Sequence, residues 1–124
     1  MGYAWVDAVI KNPFSGRSIS VKALVDTGAT LTVILRRIAD ELALPVIGKS
    51  LVQIAKGVTE LEACFGVVGI MGEETPARIL VSDELNTVII GITVLEQLGL
   101  EVDPTTGKLK KTKLLLLQHT KFLV

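Results

Sequence analysis

The sequence predicts an all-β, barrel-like domain with two short helices. Three observations lead there. Short runs rich in valine, isoleucine and threonine recur along the chain, glycine, proline and asparagine turn signals separate them, and only two stretches have helical spacing. Many short strands, each with a face to bury, close readily into a barrel.

Tyr3 to Ile10 reads as the first strand, and Asn12-Pro13 with Gly16 makes the turn after it. Arg17 to Val25 alternates, with Ile19, Val21 and Ala23 on one face and Ser18, Ser20 and Lys22 on the other. It runs directly into Asp26. Thr32 to Leu35 resumes as a strand beyond a glycine turn. Arg36 to Leu44 carries Ile38 and Leu42 four apart, a short helix stopped by Pro45. Ser50 to Ile70 reads as a long hairpin with Lys56-Gly57-Val58 near its tip, and Gly66, Gly69 and Gly72 punctuate its return arm and the next turn. Pro76 to Val81 and Thr87 to Ile90 are short apolar strands. Gly91-Ile92-Thr93 opens a second helix, Val94 to Leu98, with Thr93 as its expected N-cap and Gly99 as its stop. Leu100 to Val102, the turn Asp103 to Gly107, and Lys108 to Leu117 form a closing hairpin.

Composition narrows the function. A chain of 124 residues makes one domain, 1–124, without linker or repeat. Its 13 basic and 13 acidic residues cancel, so no single-sign field favours nucleic acid or an anionic membrane as partner. The apolar share of 49% exceeds what so small a domain covers with its own polar surface. The longest uncharged run, Leu85 to Leu95, is too short to span a bilayer. The surplus is therefore expected at a contact between copies of the chain. The start, Met1 to Asp7, lacks the basic and apolar regions of a signal peptide. One cysteine and one histidine give no basis for an internal disulfide or a metal site, and the expected compartment is the cytoplasm. Cys64, inside an apolar run, reads as a packing thiol, and His119 as a solvated residue. No glycine pattern that cradles phosphate follows a strand, and no cofactor is expected.

The segment Leu24-Val25-Asp26-Thr27-Gly28-Ala29-Thr30 places a carboxylate on a glycine turn directly after an apolar strand. Two readings of it stay open. Such a turn is often only an Asx-type hydrogen bond. It is also a setting in which a carboxylate does acid–base chemistry.

Three segments, in order, resemble the retropepsin-like aspartic peptidases, and in particular their single-domain prokaryotic relatives. Ala23 to Thr30 is similar to the family's active-site loop. The hairpin around Lys56-Gly57-Val58 stands at the place of the flap that closes over substrate. Val88-Ile89-Ile90-Gly91 with the helix Val94 to Gly99 is similar to the strand and C-terminal helix of that fold, and Leu100 to Leu109 also resembles the prokaryotic members. The resemblance implies a retropepsin-like acid-protease barrel acting as a homodimer on a peptide or protein substrate. It implies Asp26, Thr27 and Gly28 as the catalytic segment, with Ala29, Thr30, Lys56, Gly57, Val58 and Ile90 against the substrate. Leu24, Val25 and Ile89 to Gly91 would wall the site.

The chain departs from the viral pattern where Thr30 and Leu31 replace acidic residues, and in having one glycine at the flap tip. Hydrolysis by an acid pair needs two close carboxylates sharing a proton, one activating water and one donating to the carbonyl oxygen. Only one Asp-Thr-Gly occurs, so the pair requires two chains, each giving one Asp26. The expected activity is aspartic endopeptidase. Its rivals are a non-catalytic peptide-binding or assembly module on the same fold, and a processing domain cut from a larger polyprotein. Leu114 to Leu117 is expected as a buried or intersubunit strand.

Overall fold

A computed structural model describes residues 3–116. Nine strands and two helices follow in the order β1 (Tyr3–Lys11), β2 (Ser18–Asp26), β3 (Val33–Leu35), α1 (Arg36–Glu41), β4 (Val46–Ile54), β5 (Gly57–Ile70), β6 (Glu73–Ser82), β7 (Val88–Ile90), α2 (Ile92–Leu98), β8 (Leu100–Val102) and β9 (Leu109–Lys111). No described helix is long and apolar enough to cross a membrane.

Seven strands lie in the order β1-β2-β7-β3-β6-β5-β4, and a further pairing of β1 with β5 closes the first six into a barrel. That closure runs from Ala8 opposite Ile70 to Lys11 opposite Val67. β4 stays outside the closed ring, pairing along the distal half of β5 to form the projecting hairpin. β8 and β9 make a separate two-stranded ribbon.

The strand alternation seen in the sequence fills the barrel. Ile10, Ala23, Val25, Ile34, Val68, Ile79, Ile90 and Leu95 are fully enclosed in one core cluster. Each large apolar side chain so buried contributes roughly 1.5–3 kcal/mol. β7 is only three residues long, yet it sits between β2 and β3. It runs parallel to β2, with Val25 beside Ile90, and meets β3 antiparallel at Val33 and Ile89. An all-apolar strand, Val88-Ile89-Ile90, suits this position, with Val88 and Ile90 buried in the core and Ile89 half-buried on the opposite face.

Several elements differ from their sequence reading. α1 ends at Glu41, three residues before Leu44, because the residue before Pro45 is pushed out of helical geometry. Ala43 there takes a left-handed φ of 49°. Asn12 secures this corner, donating from Nδ2 to the Leu42 carbonyl at 2.9 Å while its Oδ1 accepts from the Phe14 amide. Gly66 and Gly69 do not break the return arm, since β5 runs unbroken to Ile70. Gly66 instead makes room, because a Cβ there would lie 2.9 Å from the Ile79 side chain. The closing hairpin is shorter than expected, with β9 ending at Lys111. Leu114, Leu115 and Leu116 lie outside any strand and are exposed in the single chain, so they are not a buried strand of it. Leu117 and His119 fall outside the described residues.

Candidate active site

Asp26 is the last residue of β2, opposite Tyr3 of β1. Its backbone is thus fixed by a strand on one side while its half-buried side chain stands at the strand's open end. Asp26 Oδ1 accepts a hydrogen bond from the Gly28 amide at 2.8 Å, and its carbonyl accepts one from the Ala29 amide at 3.0 Å. The first of these bonds is what either reading of the motif expects. What distinguishes this loop from an ordinary surface turn is the frame that holds it.

That frame is the junction between β7 and α2. The Ile92 amide donates to the Ala29 carbonyl at 2.8 Å, and the Thr93 amide to the Thr30 carbonyl at 3.1 Å. The first amides of a helix have no partner within it, and here the loop's carbonyls satisfy two of them. Thr93 is therefore not the N-cap. Gly91 holds that position, without a side-chain cap, because the loop backbone does the capping. Gly99 does stop the helix, with a left-handed φ of 67°.

Gly91 also donates its amide to Thr32 Oγ1 at 3.1 Å in a buried bond. A Cβ at Gly91 would lie 2.5 Å from the Leu31 carbonyl carbon and 2.8 Å from the Thr30 oxygen. Only glycine lets the two backbones approach so closely. Thr32 and the contact role of Gly91 escaped the sequence reading. A lone hydroxyl residue in an apolar strand, six positions after Asp26, was the available signal.

The other expected residues are distributed unevenly. Thr27 is half-buried and lines a cavity of about 440 Å³ with Tyr3, Ile92, Val102 and Asp103. Ala29 and Thr30 continue the loop, Ala29 half-buried and Thr30 exposed. Val25 and Ile90 are completely buried, so they support the loop from below and do not form an open wall. Lys56, Gly57 and Val58 sit at the tip of the β4–β5 hairpin, where Ile54 pairs with Gly57 across a two-residue turn. Lys56 and Val58 are exposed. Gly57, at φ 133°, occupies backbone space that other residues avoid.

Arg36 opens α1 and donates from Nε to Asp83 at 2.9 Å and from Nη1 to Glu62 at 2.6 Å, joining α1 to β5 and to the β6–β7 connection. The guanidinium's hydrogen bond holds the Asp83 carboxyl below the usual aspartate range. Burial pushes the Cys64 thiol up, which keeps it protonated and unreactive. Among the described residues, no group of three or more His, Cys, Asp or Glu side chains could hold a metal ion.

A family model described as aspartyl protease matches residues 10–94, a span that includes the Asp26 loop, the hairpin and β7. No curated protein matches the chain in sequence. Three solved structures show the same fold. The protease of equine infectious anaemia virus (EIAV), complexed with the inhibitor HBY-793, is 21% identical with a TM-score of 0.61, covering 90% of this chain and 91% of that one. The retroviral protease-like domain of Ddi1 from Leishmania major is 22% identical with a TM-score of 0.60, covering 90% and 89%. The protease of simian foamy virus (mac) is 19% identical with a TM-score of 0.54, covering 73% and 90%. The barrel, with β7 between β2 and β3, is thus a retropepsin-type fold.

Proposed function

The chain belongs to the aspartyl protease family, and on that footing we propose that it is an endopeptidase whose active site forms when two copies each contribute Asp26. The observation that carries this reading is the frame around the loop. The segment that follows a solitary Asp-Thr-Gly, Ala29 to Thr32, is held by three hydrogen bonds and a close backbone contact from Gly91, Ile92 and Thr93, yet the chain contains no second copy to complete an acid pair. A two-fold axis beside the loop supplies the missing carboxylate.

In the paired site the two Asp26 carboxyls share one proton, because like charges this close do not both ionise. The ionised member takes a proton from water as the water oxygen bonds to the peptide carbonyl carbon, and the protonated member donates its proton to the carbonyl oxygen, giving a gem-diol. The carboxyl that took the water proton then passes it to the leaving amine as the C–N bond breaks, and the other carboxylate recovers a proton from the diol. The Gly28 amide, already bonded to Asp26 Oδ1, keeps the carboxyl plane fixed through these steps. The projecting β4–β5 hairpin serves as the flap, with Lys56, Gly57 and Val58 meeting the bound peptide.

Incubation of the protein with a diverse peptide mixture at several pH values, read by mass spectrometry, tests this directly. Asp26→Asn lowers cleavage by at least about a hundredfold while leaving the elution volume of the folded dimer unchanged. Equal cleavage by wild type and variant would falsify the mechanism. Tight peptide binding by the wild type without products would favour a non-catalytic binding module instead.

A further inference from the structure

β2 has one finished edge and one that is half open. It pairs with β1 along its whole length, from Ser18 opposite Lys11 to Asp26 opposite Tyr3. Its other neighbour, β7, meets it only from Ala23 to Val25, so Ser18 to Lys22 have no strand partner on that side among the described residues. This is the half of β2 remote from Asp26. An open strand edge presents backbone N–H and C=O groups to any extended segment that comes alongside.

A cavity of about 270 Å³ lies against that edge, and Ile19, Ser20, Val21 and Lys22 all line it. Successive residues of a strand point to opposite faces, so four in a row share one cavity only where it meets the strand from the side. Arg37 of α1 and Trp5 of β1 line it too.

The cavity is chemically one-sided. Among the described residues Lys22 and Arg37 are the charged groups that line it, and no carboxylate does. Lys22 reaches Asp7 at 3.2 Å, but both side chains are solvent-exposed and such a pair holds its partner weakly. Arg37 is exposed and makes no hydrogen bond or ion pair among the described residues. Trp5 is 61% exposed and is the one tryptophan of the chain. Tryptophan and arginine are the residue types that most often dominate binding energy at interfaces.

We propose that this edge is a docking site for an extended acidic segment of a partner protein. The segment adds beside Ser18 to Lys22 as a further strand, sets carboxylates against Lys22 and Arg37, and lays an apolar side chain on Trp5. The open edge and the charge of the cavity together select this occupant. A single-stranded nucleic acid could stack on Trp5, but it makes no strand ladder, and two cations on a chain of zero net charge give its phosphates little hold. The surface stands apart from Asp26, so the proposal holds whether or not the paired site cuts peptides.

The probe is the hexapeptide Glu-Val-Glu-Val-Glu-Val, titrated into the Asp26→Asn protein so that none of it is cleaved. With one tryptophan in the chain, emission reports on Trp5 alone and should shift to the blue and saturate. Arg37→Glu and Lys22→Glu should each raise the Kd on the order of tenfold, with melting curves confirming that both variants fold. Added salt should weaken binding to the unsubstituted surface. Successive amides of a strand point to opposite edges, so of two peptides N-methylated on alternate residues one should bind on the order of tenfold more weakly and the other like the parent. An unchanged Trp5 emission, equal affinity for Lys-Val-Lys-Val-Lys-Val, or equal affinity for the parent and both methylated peptides would overturn the proposal. So would tighter binding of single-stranded oligothymidylate than of the acidic peptide, which would assign the surface to nucleic acid. Dissociation of the protein's own assembly by Arg37→Glu, with no peptide bound by the unsubstituted surface, would assign it to a second copy instead.

Discussion

Gly91 and Leu31 touch backbone to backbone: a Cβ added to Gly91 would stand 2.5 Å from the Leu31 carbonyl carbon. No rotamer change relieves such a contact, because both partners are main chain. Gly91→Ala must therefore push the Asp26 loop away from α2. The expected cost is about 1–3 kcal/mol, read as a lower urea midpoint, together with loss of peptide cleavage beyond what the fall in folded fraction explains.

Thr32 and Gly91 are joined by the buried bond that fixes the other side of this contact. Thr32→Val keeps the shape but leaves the Gly91 amide without its acceptor. An unsatisfied buried donor costs about 1–3 kcal/mol. Thr32→Ser, which retains the hydroxyl, should recover most of that loss in the same unfolding measurement.

A site shared between copies makes its own prediction for mixtures. When wild type is re-equilibrated with an equal amount of Asp26→Asn, half of the wild-type chains enter mixed dimers with one carboxylate. Activity per wild-type chain should then fall to about one half. Activity that stays strictly additive on mixing would contradict the two-chain site.

Acid should weaken the corner where α1 meets the barrel. The Asp83 carboxyl is held below its ordinary value by Arg36, so the unfolded chain takes up this proton first as pH falls. Its stabilising contribution is complete above about pH 4 and is lost as pH drops further. Thermal melts across that range should show Asp83→Asn with a flatter acid dependence than wild type. Identical slopes would remove Arg36–Asp83 from the account of acid stability.

Much of this molecule is legible in its sequence because local rules act there without competition. Alternation in Arg17 to Val25 places Ala23 and Val25 inside the barrel, and the turn residues mark most strand ends near their true positions. Asp26 is conspicuous for the same reason, as a carboxylate at the end of an apolar strand. The parts that escape are set by distant contacts. Thr93 reads locally as an N-cap, but carbonyls sixty-odd residues earlier in the chain perform that function. Ile47 reads as an ordinary strand residue, and only its partner strand reveals a bulge there. Ile90 is placed against the substrate by the family resemblance, yet the closed barrel encloses it completely.

The insertion of β7 between β2 and β3 also imposes an order in time. Thr32 and Gly91 are 59 positions apart, so a chain growing from its N-terminus carries the Asp26 segment long before the strand that holds it. Until Val88 to Gly91 emerge, β2 lacks its parallel neighbour and the loop lacks the Gly91 contacts that hold it. Contacts this distant in sequence form late, since the intervening chain must be ordered first. Biosynthesis thus separates possession of the Asp26 carboxylate from possession of the frame that positions it, and a ribosome-bound fragment has the former without the latter.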